Sequence, residues 1–199
     1  ESTTMKLEDF RIVYDEYENF LRRCGKIDFD DMLVFTYELL SERPDILKMW
    51  QNKFRYILID EFQDINMIQY DIVKLLAGER QNVFSVGDDD QSVYGFRGAA
   101  PAIMKKFPED FHGTVIEYLN VNYRCSYDIV ECSKRIIQNN RDRYEKQLRS
   151  AFAAGQSDRV HIVKTDSMTE QNKKIIDRIT ELNRAGIPYR EMAIIFRTN

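Results

Sequence analysis

The sequence predicts an α/β protein with a mostly parallel sheet. Short apolar runs typical of buried strands alternate along the chain with segments whose apolar residues recur at helical spacing. The chain has 199 residues, of which 43% are hydrophobic, so it can bury a core and is not expected to be disordered. No apolar run approaches the roughly 20 residues that span a bilayer, so we expect no membrane association.

The N-terminal part of the chain predicts helices only. Apolar residues that recur at helical spacing from Phe10 to Leu21 predict an amphipathic helix that ends near Gly25. Asp28 is suited to cap a second helix, because its side chain can accept a hydrogen bond from a free backbone N–H. Pro44 is suited to the first turn of a third, shorter helix.

Strands and helices alternate through the rest of the chain. A helix that ends at Gly78 follows the first predicted strand, a short helix after Pro101 follows the second, and a helix from about Ser126 follows the third. Ser167 and Glu170 have the spacing of a capping box before the last helix. The five predicted strands are residues 56–59, 83–86, 115–119, 159–163 and 192–196.

Cysteine content and net charge exclude several classes of site. Three widely spaced cysteines without a Cys-x-x-Cys pair predict neither a disulfide framework nor a zinc site, and they fit a reducing cytoplasm. The two histidines are too few for a histidine-rich metal site. The net charge of −4 provides no global basic field, so any contact with nucleic acid is expected to be local.

Polar clusters follow the first three predicted strands at their carboxyl ends, where open parallel sheets bind ligands. These clusters are residues 60–64, 87–91 and 120–124. If the strands are neighbours, the clusters converge on one crevice.

Asp60 and Glu61 directly follow the first apolar run. This is the form of a Walker B element, in which the aspartate helps to hold Mg²⁺ and the glutamate polarises the water that attacks the γ-phosphate. The alternative is that both carboxylates cap the following helix and complement its dipole.

The second cluster contains three consecutive aspartates, Asp88, Asp89 and Asp90, followed by Gln91. The aspartates are either a metal site or, as is common for adjacent aspartates, turn formers and helix caps. Gln91 is placed next to this turn, where a side-chain amide would contact a bound phosphate.

Aromatic and arginine side chains occur together at two places. Tyr94, Phe96 and Arg97 are interleaved with glycines, a pattern that suits stacking on unpaired bases; the alternative is core packing. Tyr123 and Arg124 follow the third predicted strand. They would stack on a base and reach a γ-phosphate as an arginine finger. The alternative is a Tyr at a domain boundary and an Arg paired with a carboxylate.

Taken in order, these motifs resemble the superfamily 1 DNA helicases of the UvrD, Rep and PcrA type. The resemblance rests on ILIDEFQD (57–64), VGDDDQSVYGFRGA (86–99) and LNVNYR (119–124), with further similarity in IDFDDML (27–33) and AIIFRTN (193–199). It implies a partial RecA-like P-loop NTPase motor core with parallel sheets, preceded by helices of an inserted helical subdomain.

The resemblance also implies a function. These helicases couple ATP hydrolysis to 3′-to-5′ movement along single-stranded DNA, with ATP and Mg²⁺ as cofactors and with single-stranded DNA and duplex junctions as partners. By resemblance, Asp60 assists Mg²⁺, Glu61 activates water, and Gln91 contacts the γ-phosphate. DNA repair, replication or recombination in the cytoplasm is the expected setting.

The remaining roles are likewise implied by the resemblance. Tyr94 and Phe96 would stack against bases, and Arg97 would brace their loop. Tyr123 would stack on adenine, and Arg124 would be the arginine finger that the second motor domain supplies.

One departure from the family pattern is large. The Walker A loop, Gly-x-x-x-x-Gly-Lys-Ser/Thr, does not occur, and the one Gly-Lys pair is Gly25-Lys26. The sequence therefore predicts an internal piece of a larger helicase. Residues 1–51 would be the end of the helical insertion, 52–111 the latter part of the first motor domain, and 112–199 the start of the second.

Two alternatives remain. The missing phosphate loop favours a chain that is inactive by itself and serves as a scaffold or as a DNA-binding or partner-binding piece. The aspartates at 88–90 leave open a metal-dependent nuclease.

Overall fold

The computed structural model describes residues 6–98, 102–141, 143–155 and 160–196, and the side chain of Arg97 lies outside the described part. The α-helices in these residues are α1 (Leu7–Cys24), α2 (Phe29–Glu42), α3 (Pro44–Lys53), α4 (Met67–Ala77), α5 (Ala102–Asp110), α6 (Tyr127–Ile137) and α7 (Met168–Arg184). The strands are β1 (Ile57–Ile59), β2 (Val83–Ser85), β3 (Val121–Asn122) and β4 (Arg149–Ser150).

The strands form two parallel pairs. β1 pairs with β2, so that Ile57 lies opposite Val83 and Ile59 lies opposite Ser85. β3 pairs with β4 in a separate two-stranded sheet. Because α4 connects β1 to β2, this part of the chain is a parallel β-α-β unit. The prediction of an α/β chain with parallel strands is confirmed.

Three of the five predicted strands are wrong. Residues 115–119, 160–163 and 192–196 form no strand in the structure, and residue 159 lies outside the described part. A strand requires a neighbour for its backbone N–H and C=O groups, and among the described residues no ladder joins these segments to another strand. Val115 and Leu119 are 79% and 85% exposed, so their apolar character does not reflect burial here.

The end of the first helix and the starts of the second and third agree with the sequence prediction. α1 ends at Cys24, and the Gly25 that follows has a φ of 61°, which is accessible to glycine without a steric penalty. The side chain of Asp28 accepts a hydrogen bond from the backbone N–H of Asp31 at 2.9 Å. Asp31 accepts one from the N–H of Asp28 at 3.1 Å, which completes a capping box. Pro44 is the first residue of α3.

The later helices show one unpredicted cap and one altered cap. Asn66 and Gln69 form a reciprocal capping box at the start of α4, which ends before Gly78 as predicted. At α7, Ser167 accepts a hydrogen bond from the N–H of Glu170 at 3.2 Å. The Glu170 carboxylate accepts from the N–H of Asp166, one residue before the expected donor.

The described residues fall into two compact units. The first comprises Glu1–Asn120 and Ile137–Gln147, and the second comprises Val121–Ile136 and Leu148–Asn199. In the first unit α2 packs against α3 and α4. No helix in the described residues is both long enough and apolar enough to cross a membrane. All three cysteines are free thiols.

The core of the first unit is built from aromatic side chains beneath β1 and β2. Phe62 packs edge-on against Tyr70, with ring centroids 6.0 Å apart, and against Phe107 at 5.3 Å. Burial of one such phenylalanine contributes about 1.5–3 kcal/mol. The segment directly after Glu61 is thereby anchored in the core. The buried core residues are Phe62, Tyr70, Ala77, Ile103, Phe107 and Phe111.

Candidate functional site

Two of the three predicted polar clusters lie at one edge of the β1–β2 sheet. The backbone hydrogen bonds continue beyond the strands: Val86 N–H donates to the carbonyl of Ile59 at 2.8 Å, and Phe62 N–H donates to the carbonyl of Val86 at 2.9 Å. These bonds hold the chain that follows β1 against the chain that follows β2. Asp60 and Glu61 are therefore neighbours of the segment that begins at residue 87.

A buried amide joins these two segments. Gln63, which is only 2% exposed, donates through Nε2 to Glu61 Oε2 at 2.8 Å. Its Oε1 accepts from the backbone N–H of Asp88 at 3.0 Å. A Cβ at Gly87 would lie 2.9 Å from Gln63 Oε1 and 3.2 Å from Gln63 N, so glycine is needed for this close approach.

Glu61 has a left-handed backbone, with φ 50° and ψ 43°. This conformation costs a non-glycine residue about 1–3 kcal/mol, which the buried Phe62 that follows helps to offset. Asp60 Oδ1 accepts from the N–H of Glu61 at 2.9 Å and helps to hold the turn. Both carboxylates are exposed at the sheet edge.

The second cluster contains a short helical turn at Asp89–Gln91. Asp88 caps it by accepting from the N–H of Asp90 at 3.2 Å, and Gln91 Nε2 donates to Asp88 Oδ2 at 2.7 Å. The Gln91 amide thus lies beside the Asp88 carboxylate and is exposed. The interpretation of these aspartates as turn formers and caps agrees with this geometry.

Two cationic side chains bind the three aspartates. Arg143 donates through Nε and Nη2 to the two carboxylate oxygens of Asp90, at 2.7 and 2.6 Å. Lys146 Nζ contacts carboxylate oxygens of Asp88 and Asp89 and lies 3.2 Å from Asp90 Oδ2. We call these five residues the acidic clamp. A charge-assisted, bidentate pair such as Arg143–Asp90 is strong and has a defined geometry.

The segment that carries the two cations is itself fixed to the first unit. The backbone N–H of Tyr144 donates to Asp89 Oδ2 at 2.6 Å, and its hydroxyl donates to the carbonyl of Met104 in α5 at 3.1 Å. The clamp therefore joins chain segments that are more than 50 residues apart.

The clamp shifts the ionisation of its members. The Arg143 guanidinium holds the pKa of Asp90 below its ordinary value. Burial disfavours the charged form of Asp88, but hydrogen bonds from Lys146 and Gln91 outweigh it and also lower the pKa. For Lys146, burial opposes the charged form, yet hydrogen bonds to the aspartates raise its pKa. All three groups are charged at neutral pH.

These contacts weigh against a metal-dependent nuclease. Oxygens of Asp88, Asp89 and Asp90 lie within 4.8 Å of one another, a spacing that would suit a cation. However, Lys146 already contacts all three carboxylates, and Arg143 binds both oxygens of Asp90. A metal ion would have to displace two side chains that neutralise the cluster.

We expect the clamp to make stability depend on pH in the acid range. Because the pKa values of Asp88 and Asp90 are lowered by folding from about 4, the clamp stabilises the fold fully above that pH. The contribution is lost as pH falls through the lowered values. Asp90→Asn should cost about 1.5–3 kcal/mol at pH 7, because Arg143 loses its charged partner.

Urea unfolding followed by fluorescence of Trp50, the single tryptophan, at pH 3 to 7 measures this effect. The urea midpoint of Asp90→Asn should change less with pH than that of the wild type. Equal slopes in both proteins would show that the clamp does not contribute to acid sensitivity.

The aromatic loop follows the clamp directly. Tyr94 and Phe96 have ring centroids 6.0 Å apart and tilted by 52°. They flank the start of a short helical turn at Gly95–Arg97, which Gly98 ends with φ 81°. Phe96 is 79% exposed and Tyr94 is 40% exposed, so neither ring is buried in the core. The predicted role of Arg97 rests on a side chain outside the described part.

The third predicted cluster lies around β3, and all of its residues except Asn120 belong to the second unit. Asn122 Oδ1 accepts from the N–H of Arg124 at 2.9 Å and from the N–H of Cys125 at 2.7 Å, which fixes the turn after the strand. Tyr123 is 77% exposed. Arg124 is exposed, and its guanidinium pairs with no carboxylate among the described residues, so that alternative gains no support.

Three residues of the site were missed by sequence reasoning. Gln63 is part of the first motif, but nothing in the sequence shows that its amide is buried between two segments. Arg143 and Lys146 are remote in sequence from the aspartates that they bind. The sequence indicates only that three adjacent carboxylates need nearby cations. It does not identify which cations they are.

Comparison with known proteins agrees with the motifs. Residues 1–112 match the UvrD/REP helicase N-terminal domain, and residues 117–199 match the UvrD-like helicase C-terminal domain. Together the two matches cover the chain except residues 113–116.

Individual relatives show the same similarity. YjcD of Bacillus subtilis (strain 168) is 39% identical over 187 residues, which covers 94% of this chain and 24% of YjcD. The ATP-dependent DNA helicase PcrA of Staphylococcus epidermidis (strain RP62A) is 37% identical over 187 residues, covering 94% of this chain and 25% of PcrA. PcrA of Staphylococcus aureus (strain Mu50) is 36% identical over 199 residues, covering 100% and 27%.

The chain thus spans about a quarter of the length of these relatives. The resemblance drawn from the three motifs is confirmed by matches that extend over nearly the whole sequence. The chain belongs to the UvrD/REP helicase family.

Proposed function

We propose that this chain is a segment of an ATP-dependent DNA helicase or translocase that couples ATP hydrolysis to 3′-to-5′ movement along single-stranded DNA. One observation carries the proposal: Glu61 and the loop that bears Gln91 meet at the carboxyl edge of a parallel sheet and are joined through Gln63. This is the edge at which such sheets bind ligands. The names of the PcrA relatives support the choice of ATP and DNA.

The proposed organisation follows the family. Residues 1–51 are the end of a helical insertion, 52–111 the latter part of a first RecA-like domain, and 112–199 the start of a second. The family matches support a boundary in this region, since one ends at residue 112 and the other begins at residue 117. We place the intact protein in the cytoplasm, which suits the three free thiols of this chain.

In the proposed reaction, Glu61 accepts a proton from the attacking water, and Asp60 helps to hold Mg²⁺. Asp60 fits this role because Oδ2 has no hydrogen-bond partner among the described residues, while Oδ1 is used by the backbone. Mg²⁺ would neutralise charge on the phosphates, and Asp60 would reach it through water. Gln91 contacts the γ-phosphate with its exposed amide.

The remaining site residues complete the proposal. Tyr123 stacks on adenine, and Arg124 stabilises negative charge that develops on the γ-phosphate. The exposure of both side chains supports these roles. Tyr94 and Phe96 stack on bases of single-stranded DNA, and Arg97 braces their loop. Duplex junctions are the proposed site of strand separation.

Phe96→Ala is expected to weaken binding of single-stranded DNA by about 1–3 kcal/mol, because one base loses its stacking partner. Fluorescence anisotropy with a labelled oligo-dT measures the change in the intact protein. Phe29→Ala is a matched control, since Phe29 is also highly exposed but lies on α2. Equal affinities of the Phe96→Ala protein and the wild type would show that this ring does not bind DNA.

Steady-state ATPase assays with and without single-stranded DNA test the proposed function. The intact protein should hydrolyse ATP faster when DNA is present. This chain contains no Walker A loop, so we expect the isolated chain to hydrolyse no ATP. Absence of DNA-stimulated hydrolysis in the intact protein would favour the non-catalytic scaffold instead.

A further inference from the structure

We propose that Gln63 is a positioning residue of ATP hydrolysis, which fixes the carboxylate of Glu61 relative to the loop that carries Gln91. This inference rests on the proposed function. The Gln63 amide lies between the proposed base, Glu61, and the segment that carries Gln91, and Gln63 is almost completely buried.

The orientation of the Gln63 amide follows from its partners. The backbone N–H of Asp88 can only donate, so the oxygen of the amide must face it. The NH₂ group then faces Glu61 Oε2, as the 2.8 Å distance shows. The side chain at position 63 must therefore donate to Glu61 and accept from Asp88. Glutamine supplies the two functions on a single planar group.

The Gln63 backbone is also held, so the amide is a fixed support for Glu61. Phe62 anchors the preceding residue in the core, and Ser92 Oγ donates to the carbonyl of Gln63 at 3.3 Å. Glu61, in contrast, is exposed and would sample several rotamers without a partner. A general base must lie within about 2.6–3.2 Å of the proton that it accepts. Misplacement by about 1 Å can cost about 10²-fold in rate.

The same amide links the base to Gln91. The Asp88 carboxylate accepts from Gln91 Nε2, and the Asp88 backbone N–H donates to Gln63 Oε1. The clamp residue Lys146 also contacts the Asp88 carboxylate. The loop that carries Gln91 and the carboxylate of Glu61 are therefore held at a fixed separation through one side chain.

Two variants of the intact protein separate positioning from other roles. Gln63→Glu keeps the acceptor for Asp88 N–H but replaces the donor toward Glu61 with an oxygen. Gln63→Met removes both hydrogen bonds without adding charge. In each variant we expect kcat for DNA-stimulated hydrolysis to fall about 10- to 100-fold. KM for ATP and the Kd of a fluorescent ATP analogue should stay within about threefold, because Gln63 supports the base rather than the nucleotide.

Gln51→Met is the matched control, since the Gln51 amide donates to the carbonyl of Leu75 at 2.8 Å, outside the candidate site. Its kcat should remain close to that of the wild type. Thermal unfolding shows whether each variant folds. A normal kcat for folded Gln63→Glu or Gln63→Met overturns the inference, as does a parallel loss of kcat, nucleotide affinity and stability. A wild-type protein without ATPase activity would instead refute the proposed function itself.

Discussion

Glu61→Gln is expected to lower kcat for DNA-stimulated ATP hydrolysis in the intact protein by about 10²- to 10⁴-fold. A side-chain amide cannot accept the proton of the attacking water, whereas a carboxylate can. The shape of the side chain is unchanged, and its remaining oxygen can still accept from Gln63 Nε2. The affinity for ATP should therefore change little. Steady-state kinetics and titration with a fluorescent ATP analogue measure the two quantities separately.

Glu79→Gln is a suitable control for the loss of one negative charge. Glu79 precedes β2, whereas Glu61 follows β1, so the two carboxylates lie at opposite ends of the parallel pair. Glu79→Gln should hydrolyse ATP at the wild-type rate. Near-normal turnover by Glu61→Gln would remove Glu61 as the base and leave it with a structural role in the turn after β1.

Local sequence signals predicted local structure well. Asp28 caps α2 and Pro44 begins α3, because capping and helix initiation depend on residues within one turn. The apolar runs before Asp60 and Gly87 predicted β1 and β2, whose parallel pairing then places both polar clusters at one edge. That part of the candidate site could be derived before the structure, since strand polarity alone determines the edge.

Features that depend on distant partners could not be derived in this way. Residues 115–119 have the composition of a strand, but pairing requires a neighbour, and composition does not show whether one is present. Arg143 lies 53 residues from Asp90, and no local pattern connects them. The role of Gln63 depends on the approach of Gly87, which only the folded chain reveals.

The acidic clamp changes how the second motif is interpreted. From sequence, Asp88, Asp89 and Asp90 suggested either metal binding or turn formation, and the structure shows a capped turn whose charge is neutralised by Arg143 and Lys146. With Gln63 on one side and the two cations on the other, the loop before Gln91 is held at both sides. A side chain that detects a phosphate needs such support, because the cost of ordering a mobile loop on binding lowers the affinity.

Arg124→Ala is expected to reduce kcat for DNA-stimulated hydrolysis by about 10³- to 10⁵-fold, the range found when an arginine finger is removed. The guanidinium would no longer stabilise charge that develops on the γ-phosphate. Arg124→Lys should recover only part of the rate, because an ammonium group lacks the planar fork that binds two phosphate oxygens. Steady-state ATPase assays of the intact protein compare the variants at saturating ATP and DNA.

Arg135→Ala is the matched control, because Arg135 is exposed on α6 and has no ion-pair partner among the described residues. Its rate should equal that of the wild type. The turn at Asn122 is formed by backbone N–H groups, so truncation of the Arg124 side chain should leave it intact. A lower rate in Arg124→Ala then reflects the lost guanidinium rather than a changed turn. If Arg124→Ala retains more than about a tenth of the wild-type rate, far above the loss expected for an arginine finger, the positive charge at the γ-phosphate must come from another residue.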